Sequence, residues 1–119
     1  MAKREYFKNG SNFELPITGT FYTDEFAPDY DGGMIVIALY DASGDIVTAS
    51  AGECLVETSP IKGQWLNGVS YGDATILLAT AGADATYNLP GFNGPQVQSR
   101  ITLSGVVGAD HVKAYIWRY

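Results

Sequence analysis

The chain has 119 residues, of which 46% are apolar, 17% charged and 13% aromatic, and 13 acidic against 7 basic residues give a net charge of −6. That is enough length for one domain with a real core, and too much apolar and too little charged character for a disordered chain. The acidic balance argues against binding nucleic acid through its phosphates, no apolar run approaches the roughly 20 residues that span a bilayer, and the single cysteine, Cys54, excludes an intrachain disulfide.

Lys3, Arg4 and Lys8 form a short basic stretch around Glu5, which is either solvated or docks on an acidic neighbour. No apolar segment follows Met1–Glu5, so no secretory signal is expected, and the lack of disulfides fits synthesis in a reducing cytoplasm. Short β-like pieces fall at Glu5–Phe7 and Ile17–Tyr22. Asn9-Gly10, Pro16, Pro28 and Gly32-Gly33 interrupt them. Residues 1–33 therefore read as an extended N-terminal arm or peripheral strands, lying on the chain's own domain or on a neighbouring subunit. Residues 34–119 read as the main domain.

Met34–Tyr40 is the strongest strand. It is apolar throughout, which predicts that both faces are buried or that one meets a partner. Asp41–Asp45 predicts a hairpin loop, with Gly44 free to turn left-handed, and Ile46–Ser50 a returning strand. Glu53–Thr58 is a further strand. Ser59–Tyr71 reads as a connection carrying Trp65. Ala74–Thr80 and Ala85–Leu89 are strands around a turn at Ala81–Asp84, and Pro90–Pro95 is a loop with Phe92 at its middle. Gln98–Ser104 is a strand, Gly105–Asp110 a turn, and Val112–Tyr119 the closing strand. Alternation places Lys113, Tyr115, Trp117 and Tyr119 on one face of that strand and Val112, Ala114, Ile116 and Arg118 on the other. The fold class is all-β: a single antiparallel β-sandwich or jelly-roll-like domain with an N-terminal arm.

Catalytic chemistry is hard to find. His111 is the only histidine, and one His, one Cys and scattered carboxylates lack metal-ligand spacing. His111 follows Asp110, and neighbours on a strand point to opposite faces, so the two are not expected to form a dyad. No nucleophile elbow, phosphate-binding glycine loop or dinucleotide fingerprint is present. Asp24, Glu25, Asp29 and Asp31 are dense enough to suggest a calcium ligand set, but they miss the EF-hand spacing and read better as a solvated acidic loop. Glu53 and Glu57 share a strand face yet lie too far apart to cooperate. Cys54, inside an apolar run, reads as a small buried thiol. The expectation is a protein that is not an enzyme and needs no cofactor or metal.

Aromatics carry the positive signal, because large amphipathic rings are favoured as interface anchors. The candidate partner-binding residues are Tyr6, Phe7, Phe13, Trp65, Phe92, Tyr115, Trp117 and Tyr119. Rings also stack on sugars, so a tail or fibre component that binds a receptor or carbohydrate through Trp65 and Phe92 is the alternative.

Gly19-Thr20-Phe21, Gly33–Asp41, Ala85–Pro90 and Arg100–Gly105 together resemble the texture of small acidic β-proteins of tailed bacteriophage virions. The resemblance spans residues 19–119 and transfers no catalytic residues. It implies a virion structural protein, of the head decoration or cement type, present in many copies; the N-terminal arm and the aromatic loops are its expected contacts with the shell. Its expected partners are the major capsid protein or other virion proteins and further copies of itself, a trimer among the candidates. Nucleic acid and membrane are not expected partners. Its expected location is the virion, assembled in the host cytoplasm.

Overall fold

The structure, a computed structural model, describes residues 3–25, 33–61, 63–66, 74–79, 86–88 and 97–118. The expectations for Asp29, Asp31, the 67–71 part of the connection, the 81–84 turn, the 90–95 loop with Phe92, and Tyr119 lie outside the described residues. Among the described residues nine strands run in chain order: β1 (Lys3–Tyr6), β2 (Gly19–Tyr22), β3 (Gly33–Tyr40), β4 (Ala51–Ile61), β5 (Gln64–Leu66), β6 (Ala74–Leu77), β7 (Thr86–Asn88), β8 (Gln98–Val107) and β9 (His111–Arg118). No helix occurs among the described residues.

The strands form two antiparallel sheets. Sheet A has the order β1-β9-β3-β7. Sheet B has the order β2-β8-β4-β5, with β6 also pairing with β4. The two-residue period explains what each strand buries. Ile35, Ile37 and Leu39 of β3 and Val112, Ala114 and Ile116 of β9 are buried from sheet A, and Cys54 and Val56 of β4 and Ile101 and Leu103 of β8 from sheet B. These side chains join one hydrophobic cluster drawn from both sheets. Each buried Ile or Leu contributes about 1.5–3 kcal/mol relative to an exposed one.

β3 was expected to bury both faces or to offer one to a partner. Its second face, Met34, Val36, Ala38 and Tyr40, is half-buried. The full-length register with β9, from Gly33↔Arg118 to Tyr40↔His111, makes these two strands the spine of sheet A.

Residues 3–25 supply an edge strand to each sheet: β1 pairs with β9, and β2 with β8. The chain between them stitches the sheets together. The Phe7 amide donates to the Ala114 carbonyl (3.0 Å) in sheet A, and the next amide, of Lys8, donates to Tyr22 (3.0 Å) in sheet B. Leu15 exchanges two backbone bonds with Val112 (2.8 and 2.9 Å). Phe7, Leu15 and Phe21 complete the core.

Two expected boundaries move because the chain changes sheets, and a third moves within sheet B. Ile46–Ser50 does not return as a strand. It makes a single bridge, Tyr40↔Ile46, and by Ser50 its amide already donates to Val107 (2.8 Å) of sheet B. β8 runs three residues past Ser104 to Val107, leaving only residues 108–110 to cross to β9 in the other sheet. β4 continues through Ile61, and Trp65, expected in a loop, sits on β5, which pairs back along β4. The turn at Asp41–Asp45 takes its expected form. The Asp41 carboxylate accepts from the Ser43 and Asp45 amides (2.9 and 3.0 Å), and Gly44 has φ 87°.

Candidate interaction surface

The outward face of sheet A gathers rings and cations. Opposed residues in an antiparallel pair share a face, so the register aligns Arg4, Trp117 and Met34 in one row and Tyr6, Tyr115 and Val36 in the next. Phe13, from the loop after β1, stacks on Tyr6 (centroids 4.8 Å apart, planes at 17°), and Tyr6 leans on Tyr115 at 5.4 Å. Phe13 remains 45% exposed. The Arg4 guanidinium lies over both Tyr115 (5.0 Å) and Trp117 (5.5 Å). Further along, Lys113 Nζ lies 5.4 Å from the centre of the Tyr40 ring, on which His111 stacks at 5.2 Å.

Of the sequence-derived candidates, Tyr6, Phe13, Tyr115 and Trp117 thus meet on one face. Trp65 lies in the other sheet, and Phe92 and Tyr119 lie outside the described residues. Phe7 is fully buried. It follows the outward Tyr6 by one residue, and alternation turns its ring into the core.

The outward face of sheet B carries a different row. Tyr22, Arg100 and Glu57 are opposed across β2, β8 and β4. Arg100 donates from Nε and Nη2 to the two oxygens of Glu57 at 3.0 and 3.1 Å, a paired geometry stronger than a single charged contact. Its guanidinium also covers the Trp65 ring at 4.2 Å, and Tyr22 meets that ring edge-on at 5.8 Å. Glu57 and the Tyr22 hydroxyl raise the Arg100 pKa above its usual value, Glu57 being the larger cause. Sequence reading missed this set, because its members come from four strands that no local pattern links.

Asp110 and His111 need a correction. Their side chains do meet, His111 Nδ1 lying 3.0 Å from Asp110 Oδ2. Asp110 belongs to the crossing segment before β9 begins, so strand alternation does not separate them. His111 makes no second hydrogen bond among the described residues, and the buried hydroxyls of Thr23, Thr58 and Ser99 lie in and beside sheet B, bonded to one another or to backbone. No acid–base–nucleophile set forms there.

Asp24 pairs with Lys8. No group of three or more His, Cys, Asp or Glu side chains is placed to hold a metal ion among the described residues. Cys54 is buried, and desolvation pushes its pKa up to about 12, the opposite of what a reactive thiol requires. No helix among the described residues is long and apolar enough to cross a membrane. No protein-family model and no curated protein matches the chain.

Proposed function

We propose that this chain is a structural protein of a tailed-phage virion, a β-sandwich or jelly-roll-like subunit that binds and stabilises the capsid shell as a decoration or cement protein. The resemblance in residues 19–119 supplies the virion setting. The observation that carries the docking role is the outward face of sheet A, where Tyr6, Phe13, Tyr115 and Trp117 assemble beside Met34 and Val36. Interface centres are enriched in such aromatics and in Met and Arg, and rings cost little conformational entropy when they dock.

On a symmetric shell, weak contacts repeated through associated copies sum by effective concentration. The proposed partners are the major capsid protein and further copies of this chain. Because residues 3–25 are stitched into both sheets, docking is assigned to the rigid face rather than to a detachable arm. A carbohydrate-binding role would draw on an open face of Trp65, and Arg100 already covers one side of that ring.

The test is co-sedimentation of the purified chain with particles of the phage that encodes it, compared with Trp117→Ala and Tyr115→Ala. Saturable binding lost in both variants supports the reading. Binding unchanged in both, or no binding by the parent chain, removes it.

A further inference from the structure

We propose that the outward face of sheet A receives an acidic, extended segment of a partner protein, running along β9, with carboxylates four residues apart and an apolar side chain midway between them. This rests on the reading of that face as a docking surface and names the chemistry of what docks.

The observation is a mismatch between supply and use of charge. Four Lys or Arg side chains are described: Arg4, Lys8, Arg100 and Lys113. Each lies over an aromatic ring. Arg100 also has Glu57, and Lys8 has Asp24. Arg4 and Lys113 have no carboxylate partner among the described residues, in a chain where acids outnumber bases 13 to 7. Both of these cations are on the same face, and that face is the aromatic one.

The rings hold the two charges in place. Arg4 rests across Tyr115 and Trp117, and Lys113 on Tyr40. Side chains that are already ordered lose less freedom on binding. Their spacing sets the shape of the ligand. Arg4 is opposite Trp117, and Lys113 lies four residues before Trp117 on the same face of β9, about 13 Å along the strand. Positions i and i+4 of another extended segment have the same separation. Position i+2 then falls over Tyr115 and Val36, the apolar middle of the face.

Two other occupants fit less well. A nucleic acid would need open ring faces on which to stack, and the rings nearest the cations are covered by them. A second copy docked through the same face would bring Arg4 and Lys113 against the same cations of its neighbour.

The experiment is fluorescence anisotropy of the full chain with a labelled peptide containing Glu-Thr-Leu-Thr-Glu, a Lys-Thr-Leu-Thr-Lys counterpart and an oligothymidylate. The Glu peptide should bind at low salt and weaken as salt is added. Arg4→Gln and Lys113→Gln should each weaken it severalfold, up to about fivefold, the range of one exposed ion pair. Both side chains are exposed, so the variants should keep the parent circular dichroism. The charge-reversed pair Arg4→Glu with Lys113→Glu should transfer preference to the Lys peptide. Absence of Glu-peptide binding, equal binding by the double Gln variant, preference for oligothymidylate, or self-association in sedimentation that the double Gln variant abolishes would overturn the proposal. Particle co-sedimentation separates this failure from failure of the docking role. If the double Gln variant binds particles like the parent while Trp117→Ala does not, the acidic segment is wrong and the docking face stands; if neither substitution matters, both fall.

Discussion

Arg100 is clamped between Glu57 and Trp65: it donates to both carboxylate oxygens at 3.0 and 3.1 Å while its guanidinium covers the indole at 4.2 Å. Glu57 is only 8% exposed. A carboxylate that far out of water depends on its partner, because an unpaired buried charge costs more than the pair returns. The register Glu57↔Arg100 makes this link span the central strands of sheet B.

Arg100→Ala should therefore destabilise the fold by about 2–3 kcal/mol, near the upper end for a hydrogen bond to a charged group. Replacing both residues by Leu should recover most of the loss, since apolar substitutes need no pairing. Urea denaturation of the two variants checks this. A single variant as stable as the parent would mean that water reaches Glu57 freely.

Gly52 sits at the irregularity between β4 and β8, with φ 127°. A Cβ added there would come within 2.7 Å of the Val106 Cα, a backbone atom that cannot swing away. Gly52→Ala should cost about 2–3 kcal/mol from backbone strain and overpacking together. Gly44→Ala is the control. Its φ is 87° and a Cβ would meet nothing within 4 Å, so only the left-handed conformational cost of about 1–2 kcal/mol remains. Thermal melts of the two should differ in that order.

Removal of residues 1–15 should unfold the domain rather than trim it. The deletion takes β1, the Leu15 exchange with Val112, and two fully buried side chains, Phe7 and Leu15. Phe7→Ala alone should cost about 3–5 kcal/mol, the range for a buried ring. Proteolysis and circular dichroism of the truncated chain decide the matter. A cooperative, protease-resistant fold without residues 1–15 would show that they ride on the domain without supporting it.

Cys54 should resist alkylation in the native state and react at once in denaturant. Burial raises its pKa from 9.0 to about 12, so the folded thiol stays protonated where the unfolded one ionises. The folded state then holds a proton that the unfolded state releases. Stability from this group is intact below about pH 9 and falls as pH rises from there toward 12. Cys54→Ala should flatten that part of the stability–pH profile, measured by denaturant titration from pH 7 to 10.5.

Much of the face of sheet A could be read along single strands. The alternation of Lys113, Tyr115 and Trp117 against Val112, Ala114 and Ile116 is a property of β9 alone, and it places three exposed-face residues correctly. The same period assigned to Tyr6 and Phe7 would have sent one outward and one inward. Composition alone treated both rings as surface anchors. The Arg100–Glu57–Trp65–Tyr22 set was illegible, because its members stand on β8, β4, β5 and β2.

By itself the sequence determined an all-β chain, the two faces of β9, the Asp41–Asp45 turn and an inert Cys54, since period, turn chemistry and apolar surroundings act over a few residues. Only tertiary structure decided which sheet each strand joins. The pattern of Ile46–Ser50 is compatible with returning along β3, yet Ser50 bonds to Val107. Residues 3–25 became edge strands of both sheets in the same way. Strand pairing is set by backbone hydrogen bonds between segments distant in sequence, and by which arrangement closes one core around Phe7, Leu15 and Phe21. No local window contains that information.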